Sequence, residues 1–148
     1  MCRFLHAIDH GLAPLRRFAE RYVSPLVFLG MRLAVARAFF TSGWLKLGYV
    51  RNNQLDTLYF LFEDYHVPFL PVKVAAWMGM CGELGLSTLL ALGLFARFGA
   101  LGLIVMSGVI YHTDGNPLAL YWALICAAIA THGPGKLALD AMSWKKGE

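Results

Sequence analysis

Residues 74–95 carry no charge except at Glu83, and an apolar run of that length can cross the hydrocarbon core of a bilayer as a single helix. An ionised carboxylate at that depth is costly unless a polar partner faces it. Arg32 and Arg37 are the candidates, because they interrupt the earlier apolar stretch 25–47 at comparable distances from its ends. A helix-borne acid facing helix-borne bases implies an all-α fold in which the first two spans pack against each other.

Composition agrees. The 148 residues are 58% hydrophobic and only 15% charged, where a soluble domain carries about 25% charge. Mean hydropathy is +0.56, and the charges gather at the chain ends and in one loop, leaving four apolar windows at 25–47, 72–94, 98–112 and 117–131. The expected architecture is a four-helix transmembrane bundle in three segments: an N-terminal arm (1–24), the membrane domain (25–135) and a basic tail (136–148). Four spans nearly exhaust these residues, so no separate soluble domain is expected. A cleaved-leader reading of the first window is disfavoured, since Arg32 lies inside the apolar region and the pattern continues through Phe39 and Phe40 to Leu47. Two arginines in a span cost about 5 to 7 kcal/mol on an insertion scale. The first helix is therefore marginal alone and needs its neighbours.

Lys and Arg placement sets the expected orientation. Arg3, Arg16, Arg17 and Arg21 precede the first span, Arg97 lies between the second and third, and Lys136, Lys145 and Lys146 follow the fourth. The other side has Arg51, with Lys46 and Lys73 at its borders, so both termini are expected in the cytoplasm. The net charge of +4 describes a basic rim attracted to anionic lipid, and nothing beyond charge supports a nucleic-acid partner. Leu12, Leu15, Phe18 and Tyr22 recur at helical spacing against Arg16, Arg17, Glu20 and Arg21, which predicts an amphipathic arm on the membrane face. Residues 48–71 form a long loop rich in Tyr, Phe and Leu. Within it, 54–65 reads as a short interfacial helix ended by His66, Val67 and Pro68. Residues 95–98 and 113–116 read as tight turns, making the last three spans consecutive antiparallel neighbours.

The reactive side chains are sparse. Cys81 and Cys126 are isolated inside spans, with no CxxC or haem-attachment spacing. His66, His112 and Asp114 fall on one side without metal-ligand spacing, so no metal site is assigned. Glu83 carries two readings, a structural ion pair or a catalytic, proton-relaying carboxylate, and the polar centre around it is drawn from Arg32, Arg37, Ser42 and Lys46. Trp44, Tyr49, Tyr65, His66, Tyr111 and His112, with Lys46, map to the loop-side ends of the helices. They are candidates to hold a headgroup there, although an ordinary aromatic belt has the same composition.

Several motifs resemble the DoxX family. Arg32, Ser42, Gly43 and Lys46 match its first-helix pattern, Gly82-Glu83-Leu84 with Leu92-Gly93-Leu94-Phe95-Ala96-Arg97 match its second, and Gly133-Pro134-Gly135-Lys136-Leu137-Ala138-Leu139-Asp140 is similar to its closing signature. Asp64-Tyr65-His66-Val67-Pro68 resembles a subgroup found beside enzymes that modify metal-binding peptides. Ser42 stands where many relatives carry His, so proton transfer at that position is not carried over. The resemblance implies a four-helix bundle of the bacterial inner membrane, a membrane subunit of oxidoreductase systems, with some relatives linked to thiosulfate:quinone oxidoreduction. Three functions follow as alternatives: a quinone-linked membrane subunit working with a soluble or membrane redox partner, a non-catalytic anchor or assembly partner for a soluble enzyme or metal-handling system, and a small transporter or channel. The chain has no flavin, haem, nucleotide or iron-sulfur motif, so the cofactor is open, with a diffusible quinone the candidate. Oligomeric state is also left open.

Overall fold

The computed structural model describes residues 13–15, 17–67, 70–133, 135 and 137–140, and these are helical apart from turns and short connections. Readings that rest on residues 1–12, Arg16, Pro68, Phe69, Pro134, Lys136 and the tail beyond 140 lie outside the described residues. Five α-helices follow in order: α1 (Ser24–Arg51), α2 (Leu55–Asp64), α3 (Val72–Leu92), α4 (Ala96–Asp114) and α5 (Leu118–His132). Helices α1, α3 and α4 are long and apolar enough to cross a membrane, and α5 is an apolar helix of 15 residues, about 22 Å at 1.5 Å per residue. The architecture is an all-α membrane bundle with α2 as the short helix between the first two spans.

A π-helical turn, Ala19–Val23, leads into α1, and the residues flanking it, Phe18 and Ser24, both keep right-handed helical dihedrals. The helical run from Ala13 to Arg51 is 39 residues, about 58 Å, against about 31 Å for the 21 residues of α3. The arm thus extends the first helix well past the end of α3, with Leu15, Phe18, Tyr22 and Leu26 exposed.

Each reversal has a local cause. Gly93 takes a left-handed conformation (φ 71°) that L side chains resist, which ends α3 at Leu92. The turn therefore falls one or two residues earlier than the sequence pattern places it, and Arg97 lies in the first turn of α4. At the opposite end Gly115 (φ 63°) stops α4, and the Asn116 side-chain oxygen accepts from the Leu118 N–H at 3.0 Å to start α5.

The main core joins α1, α3, α4 and α5 through Val35, Phe39, Leu90, Ala100, Leu103, Cys126 and Ile129. Small residues set the helix spacing. A Cβ on Gly102 would stand 2.6 Å from Leu86 Cδ1, and one on Gly43 would stand 2.9 Å from Leu84 Cγ and 3.0 Å from Glu83 Cβ. Close approach of backbones through small residues is how membrane helices gain packing where lipid offers no hydrophobic contrast. A second cluster seats Leu58 and Phe62 of α2 on Ala75 and Ala76 of α3, which fixes the short helix over one end of the bundle.

Candidate functional site

The contact of Gly43 with Glu83 and Leu84 sets the register between α1 and α3, and it places Lys46 rather than an arginine opposite the glutamate. Lys46 Nζ lies 2.7 Å from each carboxylate oxygen of Glu83 and donates also to Ser42 Oγ at 2.8 Å. The ammonium is thus engaged by both oxygens of one carboxylate and by a hydroxyl. The side chains of Lys46 and Glu83 are only 8% and 5% exposed. The Phe62 ring lies 6.0 Å from Lys46 Nζ, close enough for its negative face to attract the cation. Gly79 makes room for that ring, since a Cβ there would come within 2.8 Å of it.

The expected pairing of Glu83 with Arg32 or Arg37 is therefore corrected. Arg32 is buried at the far end of α3, where Nε donates to the Leu90 carbonyl at 3.1 Å and Nη2 to the Ala91 carbonyl at 2.9 Å. Those carbonyls belong to the last turn of α3, where Leu90 also accepts from the Gly93 N–H at 3.2 Å, and a cation there complements the helix dipole. Arg37 is exposed on another face of α1. The physical reason for the shift is the length of the first helix. Arg32 lies against the last turn of α3, while the Gly43 contact sets Lys46 opposite the middle of that helix, so Lys46 is buried instead of standing at the border.

Arg32 belongs to a second polar node, built by the motifs at 93–97 and 133–140. Asp140 accepts from the backbone N–H groups of Phe95 and Ala96, each at 3.0 Å, and its own N–H donates to the Gly93 carbonyl at 3.0 Å. The carboxylate thereby caps α4, where orphan N–H groups and the dipole both favour an anion. Ala138 is fully buried, and a Cβ on Gly93 would meet it at 2.7 Å and Arg32 Nη2 at 2.8 Å. The node is a structural clasp holding the loop between α3 and α4.

The Lys46–Glu83 pair lies in the wall of a cavity of about 530 Å³ at the α2 end of the bundle, a volume typical of small-molecule sites. Phe39, Val105, Met106, Val109, Ile110 and Ala119 supply apolar lining, while Ser42, Tyr65, Thr113, Asp114, Asn116 and Trp122 supply polar groups. Tyr65 sits on the connection after α2, and burial first, then the Asp114 and Glu83 carboxylates, raise its phenol above the usual tyrosine range. It stays neutral and able to donate at physiological pH. Neither the Tyr65 hydroxyl nor the Trp122 indole N–H has a hydrogen-bond partner among the described residues.

The structure brings together Ser42, Lys46, Tyr65 and Glu83, and separates the rest of the candidate set. Trp44 is 54% and Tyr111 45% exposed, and His112 is exposed as well, all outside this cavity. Tyr49 packs on the α2 cluster, and His66, held at φ 46° with Nδ1 2.7 Å from the Asp64 carbonyl, lines a neighbouring pocket with Phe62 and Val72. Phe62, Met106, Asp114 and Trp122 were not legible as site residues, because their convergence depends on how α2 and the α4–α5 turn fold over α1 and α3. Gly79, a small residue on the Glu83 face, was the sequence signal that something packs there.

A DoxX family model matches residues 27–113, which takes in Arg32, Lys46, Glu83 and the whole of α2 and α3. No curated protein and no solved structure matches the chain.

Proposed function

We propose, from the premise that this chain belongs to the DoxX family, that it is a membrane subunit of a redox system which holds a quinone-type ligand in the cavity at its α2 end. The observation that carries the reading is the placement of a buried Lys46–Glu83 pair in the wall of a membrane cavity of about 530 Å³. A buried ion pair used only to join two helices is better packed away from any void, whereas polar residues lining an intramembrane cavity mark ligand or proton paths.

The residues fit such a ligand. Val105, Met106 and Ile110 form an apolar slot for a ring, and Tyr65 and Trp122 offer an O–H and an N–H without hydrogen-bond partners among the described residues. When bound, a quinone supplies the redox chemistry of the quinone/hydroquinone couple. The chain's own part is to exclude water, to orient the ring oxygens with Tyr65 and Trp122, and to hold Glu83 in place through Lys46 so that its carboxylate faces the ligand.

The arrangement is read as lying in a bacterial inner membrane, with the α2 end outside and the end bearing Arg32 and Asp140 on the cytoplasmic side. Arg17, Arg21, Arg97 and the basic tail support that orientation.

One observation favours a second reading, that of a non-catalytic assembly partner. The helical extension before α1 carries Leu15, Phe18, Tyr22 and Leu26 exposed beyond the end of α3, a surface suited to another protein as well as to lipid. Mass spectrometry of the protein purified in mild detergent separates the two. The quinone reading expects an extractable prenylated quinone at near-stoichiometric amount, lost in a Tyr65→Phe/Trp122→Phe variant. A stoichiometric soluble partner with no extractable quinone supports assembly instead.

A further inference from the structure

We infer that the cavity takes the reduced, phenolic form of its ligand in preference to the oxidised form, with a ligand hydroxyl donating to the Glu83 carboxylate. The inference rests on the quinone-type reading of the cavity and deepens it through hydrogen-bond capacity.

The Lys46 ammonium is already committed to protein groups, to Ser42 Oγ, to both oxygens of Glu83 and, at 6.0 Å, to the Phe62 ring. Glu83 is in the opposite condition. A carboxylate has about four lone-pair sites, and among the described residues Glu83 accepts only from Lys46. The remaining sites belong to a buried group that lines the cavity. The ion pair therefore offers a ligand acceptors and withholds donors. A quinone carbonyl, which can only accept, gains nothing from it, whereas a phenolic hydroxyl can donate to the carboxylate in a charge-assisted bond.

Charge balance excludes another class of occupant. The ionisable side chains in the lining are one base, Lys46, and two acids, Glu83 and Asp114, with the Tyr65 phenol neutral. Such a lining disfavours a small anion. The hydroxyl that donates therefore does not belong to an anion, and the second ring oxygen can meet Tyr65 or Trp122.

Equilibrium binding to the full chain in mild detergent tests this with three matched probes: a decyl-substituted hydroquinone kept reduced under anaerobic conditions, its quinone, and its dimethyl ether. The hydroquinone should bind about ten-fold or more tightly than either of the others, the worth of a hydrogen bond to a charged group. Glu83→Gln should weaken hydroquinone binding toward that of the ether. Ser42→Ala keeps both charges, so it preserves the fold if the glutamine variant does not, and it frees one Lys46 N–H. It should tighten quinone binding and narrow the gap. Equal binding of all three probes to the parent protein overturns the donor preference while leaving the cavity reading intact. Binding of none overturns the cavity reading itself, and an unchanged preference in Ser42→Ala overturns the role given to Lys46.

Discussion

Lys46 Nζ is 2.7 Å from both carboxylate oxygens of Glu83, a chelating contact between α1 and α3 made by residues 37 positions apart. Its first consequence is for stability. Removing one member of a buried pair strands the other, at a cost of about 3 to 5 kcal/mol. Glu83→Gln and Lys46→Met are each expected to lower the thermal midpoint in detergent, and the double variant Lys46→Met/Glu83→Gln to recover part of the loss. Arg37→Gln combined with Glu83→Gln should be additive, because Arg37 faces away from the pair. A coupling between Arg37 and Glu83 larger than that between Lys46 and Glu83 would refute the register described above.

Gly43 makes this contact possible, and it yields a sharper steric prediction. A side chain there meets Leu84 at 2.9 Å and Glu83 Cβ at 3.0 Å, so the helices must part. Gly43→Val is expected to destabilise by about 1 to 3 kcal/mol through overpacking. Gly85→Ala, where a Cβ meets nothing within 4 Å, should be neutral or stabilising, since Ala is the better helix former. Thermal unfolding of the two variants side by side separates packing from propensity. An equal effect of both would place the α1–α3 contact elsewhere.

The overall bundle was legible because lipid leaves so few solutions: the apolar windows, the Glu83 anomaly and the aromatic loop led to the helices and the short α2 helix. The partner of Glu83 was not, for a reason the sequence already contained. Arg32, Phe39, Gly43 and Lys46 share one helical face, and Arg37 does not. The hydropathy edges of the window point to Arg32 and Arg37, whereas the helix continues on both sides of the window and its register on α3 is set by Gly43. Asp140 illustrates the other limit. It stands in the segment that resembles a closing signature, but its capping of α4 joins groups 44 residues apart, and no local pattern shows that.

That cap is itself testable. Asp140→Ala leaves the Phe95 and Ala96 N–H groups without their acceptor and removes an anion from the start of α4, at a cost of about 0.5 to 2 kcal/mol. Asp140→Asn should recover part of it, since an amide oxygen still accepts. Phe95 holds a left-handed conformation at φ 46°, which is strained for a bulky residue, so the segment depends on this anchor. Hydrogen exchange should rise at residues 94–98 in Asp140→Ala while the centre of α4 stays protected. Unchanged exchange there would show that the clasp does not hold the turn.

Topology is checked independently of any ligand. Reporter fusions after Gly147 and after Gly115 should give opposite signals, the first cytoplasmic and the second external. Equal signals would mean that the 15-residue α5, the helix between the two fusion points, fails to cross.

The last prediction follows from which candidate residues converge. Tyr65 lines the cavity beside the ion pair, whereas His112 is exposed outside it and His132 stands at the opposite end of the bundle, its ring 6.3 Å from Phe28. If ligand binding drew on the aromatic belt as a whole, His112→Ala and Tyr111→Phe would weaken it as much as changes within the cavity. On the proposed cavity site, Tyr65→Phe is expected to weaken binding of a quinone-type probe by about five- to ten-fold, the worth of one hydrogen bond, with no change in thermal midpoint beyond a degree or so. Ala119→Phe, which fills the lining from the α5 side, should abolish binding, while His112→Ala and His132→Ala leave it intact. Binding that survives Ala119→Phe but falls with His112→Ala would move the site out of the cavity and onto the lipid-facing belt.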